Sequence, residues 1–528
     1  MSRFAWLPDY LARLAGEGVT ALSDDRDALA PARRLTLAAD DWGTAGRIAA
    51  AVGCRHAGLW GDPEGERIVI RACLARDGDY LVLETTVPLR QPVLGSHTPH
   101  FPGVDRLERH MQDLVGIACL NHPDNRRWTR HQAWSDSDFP LRNDFPFGGR
   151  APGRTRADAD YPFARVQGSG VYEIPVGPVH AGIIEPGHFR FQAVGEDVLR
   201  LEERLGYVHK GIEKIAVGRD PAGIARLAGR VSGDSTVVHA WAACQAMERA
   251  TGGELPPRAA SLRALLAERE RIANHLGDIG AICNDVGFAF AHVQCARLRE
   301  LWQRRSQALF GHRLLMDVVV PGGVARDLAP NGADALAADH RALRKALKPL
   351  FAVIDDHPSL DDRLLDTGRL SVEDARALGC TGYVGKASGQ GFDVRRDAPY
   401  APYDRLNVVV PVHTEGDVAA RVRVRMAEVR ASLDLMDRLL AALPRGAVVA
   451  ALPEPLAGAM GLGCIDGWRG EIVTFVRFGA DGRIARFFPR DPSWFAWPAL
   501  ERLIHGNIVP DFPVCNKSVN GSYSGQDL

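Results

Sequence analysis

The residues best placed to do chemistry begin with Ser232 and Ser235, which are separated by two residues and enclose Asp234. This spacing suits a pair of metal ligands, but a neutral hydroxyl is a poor ligand for a soft metal, whereas a cysteine thiolate is a good one. Ser235 or Asp234 would also suit the N-cap of a helix that begins at Thr236. The stretch therefore has two interpretations, a helix cap and the outline of a metal site.

A second set of polar residues flanks a hairpin near the end of the chain. Asp466 and Arg469 precede the hairpin, and Ser493 follows it. A carboxylate and a guanidinium can orient a polar ligand, and a nearby histidine titrates in the range that proton transfer needs. The candidate histidines are His180, His188 and His239. The alternative is structural, because isolated histidines are mostly hydrogen-bonded framework residues and a hairpin often carries charged loop ends.

The elements that must position these residues form two units. Strand-like runs at 67–74 and 80–88, a turn at 77–78 and a helix ending at Gly116 predict a small α/β domain over residues 1–146. Residues 147–170 lack periodicity and are rich in Gly, Pro and Arg, which predicts a linker. Apolar stripes at helical spacing predict that residues 171–528 form a mainly helical domain with small peripheral sheets. The predicted fold class is α+β.

Composition excludes several classes of protein. The chain has 528 residues, with 64 basic and 65 acidic side chains and a formal charge of -1, so nothing favours nucleic-acid binding. Its nine cysteines are scattered, which is typical of reduced, buried thiols and not of a disulfide framework or a zinc site. No apolar run approaches the roughly twenty residues that span a bilayer. We therefore expect a cytoplasmic protein that can still dock on a membrane complex.

Short motifs in colinear order carry a family resemblance. Residues 101–103, 108–109, 113–117, 122–124 and 140–146 resemble the 30 kDa subunit of respiratory complex I. The second unit resembles the 49 kDa subunit and the large subunit of group 4 nickel–iron hydrogenases such as formate hydrogenlyase and hydrogenase-4. The motifs that match it are at 177–180, 185–190, 206–214, 270–275, 321–324, 389–395, 468–471 and 491–493. The chain thus resembles a fusion of the two subunits.

The departures from this family bear on the cofactor. In hydrogenases of this family, two pairs of cysteines hold nickel and iron, and the corresponding positions here are Ser232, Ser235, Ser493 and Ala496. Without thiolates a nickel–iron centre has no protein anchor, so we expect no bound metal. Complex I binds a quinone in the same place through a tyrosine and a histidine, whose positions fall near Gly233 and Pro186. The encoded tail, residues 497–528, fits a subunit that needs no processing after metal insertion.

The resemblance implies an oxidoreductase subunit of the NADH–quinone oxidoreductase or hydrogenase type, active within its complex. Electrons would arrive from a small iron–sulfur partner of the 20 kDa type, next to a ferredoxin-like subunit and an antiporter-like membrane arm that moves ions. A quinone or another small acceptor would bind a pocket lined by Ser232, Ser235, Ser493, His180, His188 and His239, with Asp466, Arg469 and Asp234 as catalytic candidates. The alternative is a catalytically silent scaffold that joins the iron–sulfur subunit to the membrane arm on the cytoplasmic face.

Overall fold

The structure is a computed structural model that describes residues 3–131, 135–150, 161–180 and 184–528. Residues 151–160 of the predicted linker lie outside this described part. The predicted fold class is confirmed, because a small sheet domain precedes a large, mainly helical domain whose sheets have two or three strands each. Within the described residues, no helix combines the length and apolarity needed to cross a bilayer.

The N-terminal domain is built around a five-stranded sheet with the order β1-β2-β5-β4-β3, in which only β2 and β5 run parallel. The β4–β5 hairpin turns at Asp77 and Gly78, both with positive φ. The elements are α1 (Leu7–Gly16), β1 (Ser23–Leu29), β2 (Ala32–Thr36), α2 (Trp42–Ala51), β3 (Arg55–Glu64), β4 (Arg67–Arg76), β5 (Asp79–Pro88), β6 (Val93–Gly95), α3 (Asp105–Val115) and β7 (Ala118–Leu120).

The second domain begins with a three-stranded antiparallel sheet and two short helices that lead to the first polar loop. These elements are β8 (Val171–Val176), β9 (His188–Val194), β10 (Asp197–Arg204), α4 (Ile212–Ala216) and α5 (Pro221–Ala228). Its centre consists of long helices, which bury the apolar stripes that the sequence predicts. They are α6 (Thr236–Thr251), α7 (Pro257–Asp285), α8 (Ala289–Phe310), α9 (Gly332–Asp355) and α14 (Val418–Ala441).

Short elements connect and close the helical core. Between the long helices lie β11 (Val319–Val320), β12 (Gly323–Val324), α10 (Pro358–Leu364), α11 (Val372–Ala377), α12 (Gly382–Ala387) and α13 (Val394–Asp397). A second three-stranded sheet and three helices follow α14. They are β13 (Met460–Gly467), β14 (Gly470–Phe478), β15 (Ile484–Arg490), α15 (Ser493–Leu503), α16 (Phe512–Val519) and α17 (Tyr523–Asp527).

A buried carboxylate joins the two domains. Glu471 of β14 accepts hydrogen bonds from Arg55 (2.7 Å) and the hydroxyl of Tyr80 (2.6 Å) of the N-terminal domain, and from Arg490 (2.5 Å) of β15. Burial alone would raise the pKa of Glu471, but the two guanidinium groups lower it to about 2. The charged pairing therefore fixes the N-terminal sheet against the sheet that carries the second polar loop.

Candidate functional site

The two polar loops lie together in the structure and form what we call the cradle, residues 232–235 and 491–496. The first loop connects α5 to α6, and the second connects β15 to α15. His239, on the first turn of α6, places its Nε2 2.8 Å from Oδ2 of Asp491, and both side chains are buried. Burial opposes ionisation of Asp491, yet the contacts with His239 and Arg469 keep its pKa below the ordinary value.

Asp234 of the cradle forms an ion pair with Arg469, which lies in the turn between β13 and β14. The guanidinium of Arg469 donates to both carboxylate oxygens of Asp234, at 2.6 and 2.7 Å, and stacks 3.9 Å above the ring of Trp468. Burial disfavours the charged form of Asp234, but the guanidinium of Arg469 lowers the pKa of this carboxyl group to about 2. The side chain of Asp234 remains 37% exposed, so solvent screens this pair more than a fully enclosed one.

The three predicted serines are all hydrogen-bonded within the chain. Ser232 donates to Asp234 at 2.8 Å, and its hydroxyl also lies 2.8 Å from that of Ser522. Ser235 accepts a hydrogen bond from the indole of Trp468 at 3.0 Å. Ser493 accepts one from the backbone N–H of Ser522 at 2.8 Å. Ser522 therefore bridges the two loops of the cradle.

Residues 520–528, which we call the tail segment, fill the space beside the two loops. The carbonyl of Asn520 accepts from Arg469 (2.7 Å), and Ser524 donates its N–H to Glu185 (3.0 Å). Asp527 accepts the backbone N–H groups of residues 206 and 208 at 2.8 and 3.0 Å. Residues 521–528 are buried. Burial raises the pKa of Asp527 to about 7, although those two N–H groups partly oppose this.

The cradle does not fit a nickel–iron centre. The four positions that hold the metals in the resembling hydrogenases carry three hydroxyls and the methyl group of Ala496. The hydroxyls of Ser232, Ser235 and Ser493 already bond to groups of the chain, and Ser522 lies between the loops. Soft metals need thiolates here, and the cradle supplies none.

Asp466, predicted as a catalytic partner of Arg469, lies in a different environment. It accepts from Arg271 (3.4 Å) and from the N–H of Val394 (3.1 Å). It belongs to what we call the ionic cluster, a set of buried charged residues: Glu268, Arg271, Lys386, Asp393, Arg395, Glu428 and Asp466. Burial and the nearby Asp393 raise the pKa of Asp466 to about 6. The carboxylate of Asp466 therefore bonds to Arg271 of this cluster and to Val394, and not to the serines of the cradle.

The two histidines of the β8–β9 region have different surroundings. His188 begins β9, with Nδ1 3.0 Å from the carbonyl oxygen of Gly177 and Nε2 bonded by Arg190 at 3.3 Å. His180 is partly buried, and its ring lies 6.5 Å from that of Phe189. Phe189 in turn packs 6.5 Å from the ring of Tyr523. His180 therefore lies on the side of the tail segment, whereas His188 shares its face of β9 with Arg190 and His239 contacts the second loop of the cradle.

The prediction of an N-cap at Ser235 or Asp234 is confirmed in position, but the capping hydrogen bond is absent. Ser235 occupies the N-cap position without a capping hydrogen bond from its side chain. The carboxylate of Glu270, from α7, accepts the N–H groups of Val237 (2.7 Å) and Val238 (3.4 Å) instead. Burial raises the pKa of Glu270 to about 8. Glu270 belongs to another helix, so no pattern near α6 predicts that it accepts these N–H groups. Its only sequence signal is its position within the 270–275 motif.

Sequence reasoning also missed residues that hold the tail segment. Glu185 and Lys210 belong to family motifs, but no local pattern indicated that they contact residues beyond position 520. Lys210 donates through Nζ to the carbonyl of Val231 (3.0 Å) and through its N–H to the main-chain oxygen of Leu528 (2.9 Å). It therefore connects the stretch of chain before the cradle directly to the tail segment.

Comparisons with known proteins agree with this architecture. Residues 39–151 match the family model of the respiratory-chain NADH dehydrogenase 30 kDa subunit, residues 285–460 that of the 49 kDa subunit, and residues 210–277 that of nickel-dependent hydrogenases. Formate hydrogenlyase subunit 5 of Escherichia coli is 30% identical over 450 residues, covering 85% of this chain and 79% of that protein. The C/D subunit of NADH-quinone oxidoreductase from Phocaeicola vulgatus is 30% identical over 440 residues, covering 80% and 84%.

A solved structure gives the same picture for the larger part of the chain. A chain of the membrane-bound sulfane sulfur reductase, an archaeal respiratory membrane complex, superposes with a TM-score of 0.64 at 26% identity. The match covers 68% of this chain and 99% of the other. Proteins with this likeness thus include hydrogenase, quinone-oxidoreductase and sulfur-reductase subunits.

Proposed function

Because the chain belongs to the family of fused 30 kDa and 49 kDa subunits found in complex I and related membrane-bound hydrogenases, we propose that it is a structural and coupling subunit of such a complex. In this proposal the chain joins an iron–sulfur partner to the membrane arm, and its cradle holds no nickel–iron centre. The observation that supports the proposal is that Ser522 forms hydrogen bonds with Ser232 on one loop and with Ser493 on the other.

Hydrogen activation is incompatible with the donor set of the cradle. A metal centre there would have to displace Ser522 and bind hydroxyls that are already hydrogen-bonded to Asp234, Trp468 and the tail segment. Serine hydroxyls stay protonated at neutral pH, so they offer soft metals neither charge nor sulfur. The chain's nine cysteines are all buried free thiols, and none lies in the cradle.

The proposed partners follow from the kind of complex to which the relatives belong. Formate hydrogenlyase subunit 5 and the archaeal sulfane sulfur reductase chain are parts of multi-subunit assemblies. For this chain we propose a small iron–sulfur subunit of the 20 kDa type, a ferredoxin-like subunit and an antiporter-like membrane arm, with the chain on the cytoplasmic face. Electron transfer in the partner would then be coupled to ion movement through contacts of this subunit.

A second candidate function is reduction of a quinone or another small acceptor within the cradle. One observation favours it: Asp234 is partly exposed and, together with Glu270, lines a cavity of about 20 Å³. Such a space is large enough for a water molecule that could carry protons between the two carboxyl groups. This function requires the tail segment to leave the cradle, because its residues occupy the position where an acceptor would bind.

Metal analysis of the purified complex tests the proposal. We expect iron from the partner clusters. Nickel should fall far below one atom per chain, and the complex should show no hydrogen uptake. One nickel atom per chain, retained after gel filtration and lost when Ser232 and Ser493 are both replaced by Ala, would overturn the proposal.

A further inference from the structure

The outer face of α8 carries an apolar stripe that nothing in the described part of the chain covers. Phe290, Val293 and Leu301 are 54%, 58% and 53% exposed. Arg297, Arg304 and Ala308 continue the same line at spacings of three and four residues, so all six lie along one side of the helix. Exposed large apolar side chains in a row are costly to keep in water and mark interaction surfaces.

This stripe borders a groove of about 480 Å³ between α8 and α9. Its floor is formed by the buried side chains of Leu298, Trp302 and Leu343, and its walls by Leu301 and small alanines, Ala308, Ala342 and Ala346. Trp302 is fixed in place, since its indole donates to the carbonyl of Arg269 at 3.0 Å and the guanidinium of Arg269 stacks 4.0 Å from its ring. The groove is therefore preformed and rigid at its base.

Positive charge surrounds the groove. Arg305 pairs with Asp339 at 2.7 Å, and Arg304 pairs with Glu300 at 2.9 Å. The groove is lined by three arginines, Arg297, Arg304 and Arg305, and by one carboxylate, Asp339. Among the described residues, Arg297 has no carboxylate within 4 Å. A ligand for this surface must combine apolar side chains with negative charge.

We propose that the groove between α8 and α9 binds an acidic amphipathic helix of another subunit of the complex. The lining residues 297–308 of α8 span about 17 Å at the helical rise of about 1.5 Å per residue, which corresponds to three turns of a docked helix. The alanines on both walls let a helix backbone approach closely, while its Leu or Ile residues contact Trp302 and Leu298. A flat lipid surface cannot reach the buried floor, so the concave shape favours a helix.

The shape and the charge assign separate roles to the two kinds of contact. Apolar burial on the floor supplies affinity, and pairing of partner carboxylates with Arg297 and Arg304 sets orientation and rate of docking. This inference goes beyond the cradle and depends on the proposed function only in requiring a multi-subunit complex.

Photo-crosslinking in the intact, purified complex tests the site. Leu301 is replaced by the photoreactive residue p-benzoylphenylalanine, and Leu456, which is 80% exposed and lies outside the groove, receives the same residue as a control. We expect position 301 to crosslink to one helical segment of another subunit that has acidic residues beside an apolar face. Position 456 should not crosslink to that segment. A crosslink to phospholipid, to a second copy of this chain or to a segment without acidic residues overturns the proposal, as does a yield at 301 no higher than at 456.

Charge reversal provides the second measurement. The variant Arg297→Glu/Arg304→Glu should lose the crosslinked subunit at least tenfold faster in salt washes, whereas Arg405→Glu, with a side chain 82% exposed elsewhere, should not. All three positions are on the surface, so an unchanged melting temperature establishes that the chain still folds. Equal retention in the two variants contradicts the charge-based part of the proposal. Because metal content is unaffected by these changes, failure here is distinguishable from failure of the proposed function.

Discussion

The ionic cluster and the cradle are neighbours that use polar residues in opposite ways. The cluster contains three cations and four carboxyl groups, and every member is at most 3% exposed. These charges are shielded from solvent, so each one is stabilised by the other charges of the cluster. The cradle instead combines one partly exposed ion pair, Asp234–Arg469, with neutral hydroxyls bonded to the tail segment. The comparison shows that the fold keeps a dense charge network around Asp466, whereas hydroxyls and the tail segment occupy the space between the two polar loops.

The largest effect is expected when the ionic cluster loses a cation. Lys386 is fully buried and donates to both Asp393 and Glu428 at 2.7 Å. Lys386→Met leaves two carboxylates without their shared cation, so we expect a loss of about 3–5 kcal/mol in the free energy of unfolding. Urea denaturation followed by circular dichroism measures it. Lys345→Met, at an exposed position, should change the same quantity by less than about 0.5 kcal/mol. Similar losses in the two variants would contradict the distinction.

A smaller effect is expected in the cradle. Arg469→Gln removes the bidentate pairing with Asp234 but leaves the carboxylate accessible to water. We therefore expect a loss of about 1–3 kcal/mol, below that of Lys386→Met. The pH dependence adds a check of sign. A carboxyl group whose folded-state pKa is lowered to about 2 contributes stability that is present above its unfolded-state pKa and is lost as pH falls toward 2. The variant should lose this acid sensitivity, and a variant that keeps the full wild-type decline would contradict the assignment to Asp234.

The smallest effect is local and concerns the tail segment. Burial raises the pKa of Asp527 to about 7. A carboxyl group with a raised pKa stabilises the folded form below its unfolded-state pKa, and this contribution is lost as pH rises through the folded-state value. Hydrogen exchange of residues 520–528 should therefore accelerate as pH rises toward about 7 and level off above it, after correction for the intrinsic rate. Asp527→Asn should abolish this change, because an amide carries no charge at any of these pH values. The N-terminal strands β4 and β5 serve as an internal reference whose protection should not change.

The elements could be predicted from sequence where the signal is local. The apolar stripe of α7 and the alternation of β14 each depend on neighbouring residues, and the structure places both where their periodicity indicates. Family motifs then brought the two polar loops into one hypothesis.

The rest of the site could not be predicted because it depends on contacts between distant segments. Ser522 is 290 residues from Ser232, and no periodicity connects them. Glu270 replaces the expected cap of α6 from a different helix. Asp466 and Arg469 are three residues apart, but Asp466 belongs to strand β13 and Arg469 to the turn that follows, so their side chains reach different clusters. Proximity in sequence was misleading at this turn.

The central claim is that the tail segment closes the cradle, and an engineered disulfide tests it most directly. The hydroxyls of Ser232 and Ser522 are 2.8 Å apart, so the variant Ser232→Cys/Ser522→Cys should form a bridge in the intact complex under mild oxidation. Peptide mapping by mass spectrometry detects the bridge, with Ser232→Cys alone as the control. We predict nearly complete bridging, and equal binding of decylubiquinone with and without the bridge in equilibrium dialysis. Two freely alkylated thiols, or quinone binding that the bridge removes, would contradict the account.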